Sequence, residues 1–274
     1  MLRALVDAGH DIGIVITRAD KRRGRGEAPG PSPVKSAALA LGLPVSEHVA
    51  DAPTAGAELG VVVAFGRIIK ADVLEQLSLV NVHFSLLPRW RGAAPVERAI
   101  LAGDTVTGVC LMAIDEGLDT GPVYRCEQTP IGPEETAAGL RDRLSVLGAE
   151  MVVRALAGGV DGLGPAHPQS GDATYAEKIE PEDLKLDWSR PATDLHRMVR
   201  VGRAWTTWRG KRLLVLEARI GDTHGAAGTL RGDQVATGDG ALRLLTVQPE
   251  GRKAVPAAEW LRGARPGPDE TLGS

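Results

Sequence analysis

Apolar residues in the first half of the chain fall into two alternating spacings. Residues 11–17 and 59–64 are β-branched or apolar runs, the second with Val61, Val62 and Val63 in succession, as in strands buried on both faces. Residues 33–41, 71–77, 95–102 and the long stretch 135–157 carry helical patterns, and 2–9 reads as the tail of a helix closed by Gly9. Strands are also predicted at 107–114 and 121–127. In Leu79-Val80-Asn81-Val82-His83-Phe84 the period is two, so Asn81 and His83 share one face of a strand. Leu87-Pro88 ends that strand and leaves the pair at its C-terminal mouth, where open α/β sheets bind ligands. Strand and helix in alternation imply an α/β fold with a mostly parallel sheet covered on both faces.

Past the long helix the pattern changes. Residues 158–164 hold four glycines and His167-Pro-Gln-Ser-Gly-Asp is rich in turn formers, so the chain is expected to divide into a domain at 1–165, a linker at 166–182 and a second domain at 183–274. Short strands are predicted at 212–218, 227–230, 234–236 and 241–247, separated by Gly-Asp turns, as in a small β-barrel or open sheet. The tail beyond Arg262 is read as loose.

Composition narrows the class without naming a function. A chain of 274 residues with 43% apolar content has enough core for two domains. Cys110 and Cys126 are too few for a disulfide framework and read as ordinary cytosolic thiols, Cys110 as a core residue within its strand. No apolar run of membrane-spanning length occurs and no signal-peptide pattern opens the sequence. The net charge of −3 argues against a general nucleic-acid binder, although the charge is unevenly spread.

The candidate chemistry lies in Asn81, His83 and, in Asp115-Glu-Gly-Leu-Asp119-Thr-Gly121, Asp119. An amide can donate to a developing oxyanion, an imidazole can handle a proton, and a carboxylate can fix and polarise the imidazole. Together these are the groups needed to move an acyl group onto an amine. Taken alone, Asn-x-His is more often a loop or a satisfied core pair. The six histidines are scattered with no pair at metal-ligand spacing, so no metal is expected. Arg23-Gly-Arg-Gly26 fits no phosphate-loop or dinucleotide pattern.

The wider text is more specific. Asn81-Val-His-Phe-Ser-Leu-Leu-Pro-Arg-Trp-Arg-Gly-Ala-Ala-Pro95, followed by Gly117-Leu-Asp-Thr-Gly-Pro122, resembles the 10-formyltetrahydrofolate-dependent formyltransferases, and among them the branch acting on methionyl-tRNA. The resemblance runs from about Leu2 to about Arg262. It implies a Rossmann-like catalytic domain followed by an OB-like β-barrel, and a cytoplasmic enzyme; nothing in the sequence suggests more than a monomer. Its donor is 10-formyltetrahydrofolate, its partners initiator methionyl-tRNA and tetrahydrofolate, and no membrane is involved. The catalytic roles fall on Asn81, His83 and Asp119. The pterin is expected against Phe65, Gly66, Arg67 and Ile68, against Ser85, Leu86, Leu87 and Pro88, and against the loop opening at Asp115. Met1-Leu-Arg-Ala-Leu-Val matches the interior of the family's first helix, so a strand and a Gly-Thr-Pro-type loop are expected upstream. Either the start codon lies further upstream or the protein is truncated and its activity affected.

Two basic segments bear on the acceptor. Residues 18–35 hold six basic against two acidic residues among glycines and prolines, suited either to a solvated loop or to phosphate contacts. The resemblance assigns Lys21, Arg22, Arg23, Arg25 and Lys35 to the acceptor stem, with Arg25 central. Residues 185–220 hold nine basic against three acidic, interleaved with Trp205 and Trp208. Arg197, Arg200 and Arg203 are spaced by three and are expected on one helical face, and Arg200, Arg203 and Arg209 are expected on tRNA. Two other readings remain open here: a formyltransferase for a small amine, such as a sugar nucleotide or glycinamide ribonucleotide, and a non-catalytic remnant that binds tRNA or folate. A small acceptor needs neither the basic loop nor a second domain.

Overall fold

The computed structural model describes residues 1–22, 28–67, 69–268 and 270–273. The chain divides into two units. The first takes residues 1–95, 107–130 and 141–176, and the second 96–106, 131–140 and 177–274. The elements up to residue 176 are α1 (Leu2–Asp7), β1 (Val15–Ile16), α2 (Pro33–Ala40), β2 (Val45–Ser46), β3 (Gly60–Val63), α3 (Ala71–Leu74), β4 (Leu79–His83), β5 (Arg91–Gly92), α4 (Pro95–Ala102), β6 (Val106–Ala113), β7 (Val123–Pro130), α5 (Ala137–Ala155) and β8 (Tyr175–Ala176). The remainder is α6 (Ala192–Val201), β9 (Ala204–Trp208), β10 (Lys211–Gly221), β11 (Leu230–Arg231), β12 (Gln234–Ala236), β13 (Ala241–Pro249), β14 (Val255–Pro256) and α7 (Ala257–Ala264).

The main sheet of the first unit runs β3-β4-β6-β7. Strands β3 and β4 are parallel, with Val63 opposite Val82, but β6 runs antiparallel to β4, with His83 opposite Cys110. The sheet is therefore mixed rather than mostly parallel. A continuous apolar run such as Val109-Cys-Leu-Met112, buried throughout, is blind to strand direction. Strands β1 and β2 form a separate parallel pair. Helix α5 rides close to β4 because Gly148 has no side chain: a Cβ there would stand 2.8 Å from Val82 Cγ1.

Cys110 and Cys126 are bonded to each other, which overturns their reading as free thiols. Neighbouring strands β6 and β7 bring their Cα atoms to 4.1 Å, a juxtaposition that residue counting cannot register. The bond ties the two strands together at mid-length in the β6–β7 hairpin, whose loop carries Asp119.

Residues 167–176, read from the sequence as linker, pack on the first unit. His167 bridges Val123, and β8 pairs in parallel with β5.

The second unit is built on an antiparallel sheet ordered β11-β12-β13-β10-β9, with β14 added to β13. Its two end strands are β11 and β9. Leu195, Leu213, Val215, Leu242, Leu244, Val247 and Trp260 are buried in its core. Helix α6 ends at Val201, and Gly202 and Arg203 both take positive φ, so Arg203 leaves the helix face expected to hold Arg197 and Arg200.

Candidate active site

Strand β4 ends at His83, and the loop between β6 and β7 returns Asp119 to it. The carboxylate Oδ2 of Asp119 lies 3.5 Å from His83 Nδ1 and accepts the Gly92 backbone N–H at 2.8 Å. Its Oδ1 accepts from Asn81 Nδ2 at 3.4 Å. The other ring nitrogen of His83, Nε2, lies 2.8 Å from the Trp90 carbonyl. A carbonyl only accepts, so Nε2 carries a proton in this arrangement and Nδ1 is the atom turned to the carboxylate. The imidazole is 5% exposed. In this low-dielectric setting, fixed dipoles and charges act more strongly than in water. The structure thus brings Asn81, His83 and Asp119 together.

The loop bearing Asp119 is braced from within. Asp115 Oδ1 accepts from Gly117 N–H at 3.1 Å and from the Thr120 hydroxyl at 2.7 Å. Gly121 is obligatory, since a Cβ there would stand 2.0 Å from the Ala113 carbonyl oxygen. Asp119 itself holds a left-handed φ of 52°, an uncommon conformation for a residue with a side chain. Gln169 supports that backbone: its amide nitrogen donates to the carbonyls of Asp119 and Gly121 at 2.8 and 2.9 Å, and its oxygen accepts from Arg91 Nε and Nη2 at 3.1 and 2.7 Å. The Thr174 hydroxyl accepts the Trp90 N–H at 2.9 Å. Sequence reasoning missed Gln169 and Thr174, which act on backbone groups distant in sequence and lie outside the quoted motif; Trp90 and Gly92 lie within it but act through backbone groups, which side-chain identity does not reveal.

The residues expected at the pterin leave one end of the parallel pair. Phe65, Gly66 and Arg67 follow β3, with Arg67 Cζ 5.9 Å from the Phe65 ring centroid, and Ser85, Leu86, Leu87 and Pro88 follow β4. Ser85 is fully buried and its hydroxyl donates to the Arg89 carbonyl at 2.6 Å, so its side chain serves the turn. Leu86 packs over Gly108 of β6, where a Cβ would stand 2.5 Å from Leu86 Cδ2. Ile68 lies outside the described residues.

Of the residues expected on tRNA, Arg23 and Arg25 also lie outside the described residues. Lys21 and Arg22, with Arg18, line a cavity of about 150 Å³ completed by Ala19, Gly30 and Ser32. Lys21 and Gly30 exchange backbone hydrogen bonds at the neck of this segment. Lys35 pairs with Asp20 at 2.8 Å and Glu47 at 3.0 Å, and these hydrogen bonds, Asp20 first, raise its pKa above the ordinary lysine value. Arg200 points inward and donates to the carbonyls of Glu135 and Gly132 at 2.9 and 2.8 Å, while burial lowers its pKa. Arg209 forms a two-bond pair with Glu270 and stacks over Trp208 at 4.2 Å. Arg203 is exposed. Within the basic stretch 185–220, Trp205 carries two cations on its ring, Lys185 Nζ at 5.3 Å and Arg212 Cζ at 4.2 Å.

Residues 1–156 match the family described as formyl transferase, and residues 178–265 match its C-terminal domain. The chain belongs to the formyl transferase family. It is 47% identical over 278 residues to a protein from Dinoroseobacter shibae named methionyl-tRNA formyltransferase, covering 96% of this chain and 93% of the relative. A protein of the same name from Jannaschia sp. is 44% identical over 288 residues, covering 99% and 95%. Among solved structures, the N-formyltransferase from Helicobacter canadensis in complex with folinic acid and dTDP-3-aminofucose superposes with a TM-score of 0.66 at 17% identity, covering 90% of this chain and 94% of its own. That coverage extends beyond the first unit, so possession of a second unit does not by itself separate tRNA-directed members of the fold from others.

Among the described residues no cluster of three His, Cys, Asp or Glu side chains is placed to hold a metal ion, and no helix is long and apolar enough to cross a membrane.

Proposed function

We propose that this formyl transferase moves the formyl group of 10-formyltetrahydrofolate onto the α-amine of initiator methionyl-tRNA. The observation that carries the reading is identity of 44–47% to relatives of that name across nearly the whole chain, second unit included. Bound folate supplies a formyl group activated by its attachment to N10. The loops after β3 and β4, with the 115–119 loop, would hold the pterin through backbone groups and the apolar faces of Leu86 and Leu87.

The residues of this chain then act as follows. The amine forms a bond to the formyl carbon, and the bond from that carbon to N10 breaks. Negative charge gathers on the formyl oxygen during the transfer; Asn81 Nδ2 donates to it, and the His83 Nε2–H joins it once bound substrate draws that N–H from the Trp90 carbonyl. Asp119 holds the imidazole and stabilises positive charge on it. The proton lost by the amine reaches the leaving nitrogen through His83 or an ordered water, so the nucleophile can be the substrate alone.

The tRNA would meet Arg18, Lys21, Arg22, Arg23 and Arg25 of the basic segment 18–35, and Lys185, Trp205 and Arg212 of an OB-like second unit. Cationic side chains beside a half-buried aromatic suit phosphate contact and base stacking.

The test is formyl transfer to initiator methionyl-tRNA by the purified chain, His83→Ala and Asp119→Asn. Turnover is expected to fall by orders of magnitude in both variants, with the KM for tRNA little changed. Transfer to an amino sugar nucleotide instead of the tRNA would replace this reading with the small-acceptor one.

A further inference from the structure

We propose that Gln169 is a positioning residue for the candidate catalytic centre, acting through Asp119 and Arg91. Both amide hydrogens of Gln169 are used on the carbonyls of Asp119 and Gly121, and its oxygen takes two donors from Arg91, so the side chain joins two strands of backbone. One carries the carboxylate, in a left-handed conformation that needs support from its surroundings. The other presents the Gly92 N–H, which the same carboxylate accepts at 2.8 Å.

Gln169 therefore fixes both the origin of the Asp119 side chain and the backbone donor that aims it. The same stretch of chain holds the other side of the imidazole. Thr174 accepts the Trp90 N–H, its own N–H donates to the Pro88 carbonyl, and Trp90 O receives His83 Nε2. Both ring nitrogens of His83 thus face groups held by residues 169–174.

The Gln169 amide bonds Arg91, Asp119 and Gly121 rather than His83, so its influence passes through the placement of the carboxylate. The inference rests on the reading of Asp119 and His83 as catalytic, and the experiment separates the two. Formyl transfer to initiator methionyl-tRNA is measured for the full chain and for Gln169→Leu, Gln169→Glu, Asp119→Asn and Gln169→Leu/Asp119→Asn. Gln169→Leu removes all four hydrogen bonds at similar volume. Gln169→Glu keeps the acceptor for Arg91 but loses the donors to Asp119 and Gly121, and it stands in if the leucine variant does not fold.

Either single variant at 169 is expected to lower kcat by about 10- to 100-fold, the loss that small misplacements of catalytic groups produce, with both KM values changed less than threefold. In the Asp119→Asn background the same change is expected to cost less than twofold, because the group that Gln169 aims has lost its charge. A merely structural role would lower activity by the same factor in both backgrounds, and that result overturns the proposal. Full kcat in both variants at 169, beside a large loss in Asp119→Asn, overturns it as well and leaves the catalytic reading standing. Full activity in Asp119→Asn overturns both.

Discussion

Replacing Arg200 by methionine keeps the aliphatic stem and removes both donors to the Glu135 and Gly132 carbonyls. A hydrogen bond from a charged donor contributes about 1.5–3 kcal/mol; after the change the Gly132 carbonyl keeps the Glu135 N–H, and the Glu135 carbonyl loses its Arg200 donor. Arg200 is only half-buried, so water recovers part of each bond, and a net loss of about 2–3 kcal/mol is expected. In a unit of about 120 residues this lowers Tm by roughly 8–12 °C. Calorimetry on the full chain reads that shift as an earlier transition of the second unit. Kinetics in parallel should show the KM for tRNA and its salt slope unchanged, because the guanidinium is turned away from solvent phosphates. An unaltered Tm together with a salt slope shallower by about one would refute the reasoning and return Arg200 to the tRNA surface.

His196 is buried and its Nε2 lies 3.3 Å from Glu134 Oε2; burial lowers its pKa, with Glu134 opposing. The unfolded chain takes that proton near pH 6.5 and the folded chain only at lower pH, so this group leaves stability intact above about 6.5 and erodes it below. His196→Gln should flatten the fall in Tm between pH 7 and 5, and a wild-type Tm that rises on acidification would contradict the assignment. Cys126→Ser opens a loop of 16 residues and should cost about 3 kcal/mol by loop entropy. Melts with and without reductant check this, since reduced wild type should fall to the variant's Tm. Lys185→Ala/Arg212→Ala should make the salt dependence of the KM for tRNA shallower by about one to two with kcat unchanged, and an unchanged slope would remove the Trp205 patch from the interface.

The sequence was most legible where chemistry sits on a regular element. Asn81 and His83 alternate on one strand, and the Gly-Leu-Asp-Thr-Gly text marks the turn that carries Asp119, so the trio could be assembled from spacing and motif. Gln169 lies 50 residues beyond Asp119, in a stretch whose glycines and prolines look like linker, and an amide that binds backbone has no signature. Arginine spacing put Arg200 on a helix face but could not tell which way the face turns; the carbonyls of Gly132 and Glu135 decide that. Strand direction was illegible for β6, because an apolar run looks alike in parallel and antiparallel sheets. Register was equally hidden, and with it the bond between Cys110 and Cys126.

His83, Cys110 and Cys126 occupy one row across neighbouring strands, and only the last of the three is exposed. Reduction therefore yields two thiols of unequal reach: Cys126 meets reagents at the surface while Cys110 stays shielded beside the imidazole. With no other cysteine in the chain, a fluorinated or nitrile label would attach at a single address on the hairpin that delivers Asp119. Its signal would follow the movement of that hairpin as donor and acceptor bind, in a protein whose catalytic side chains all remain native.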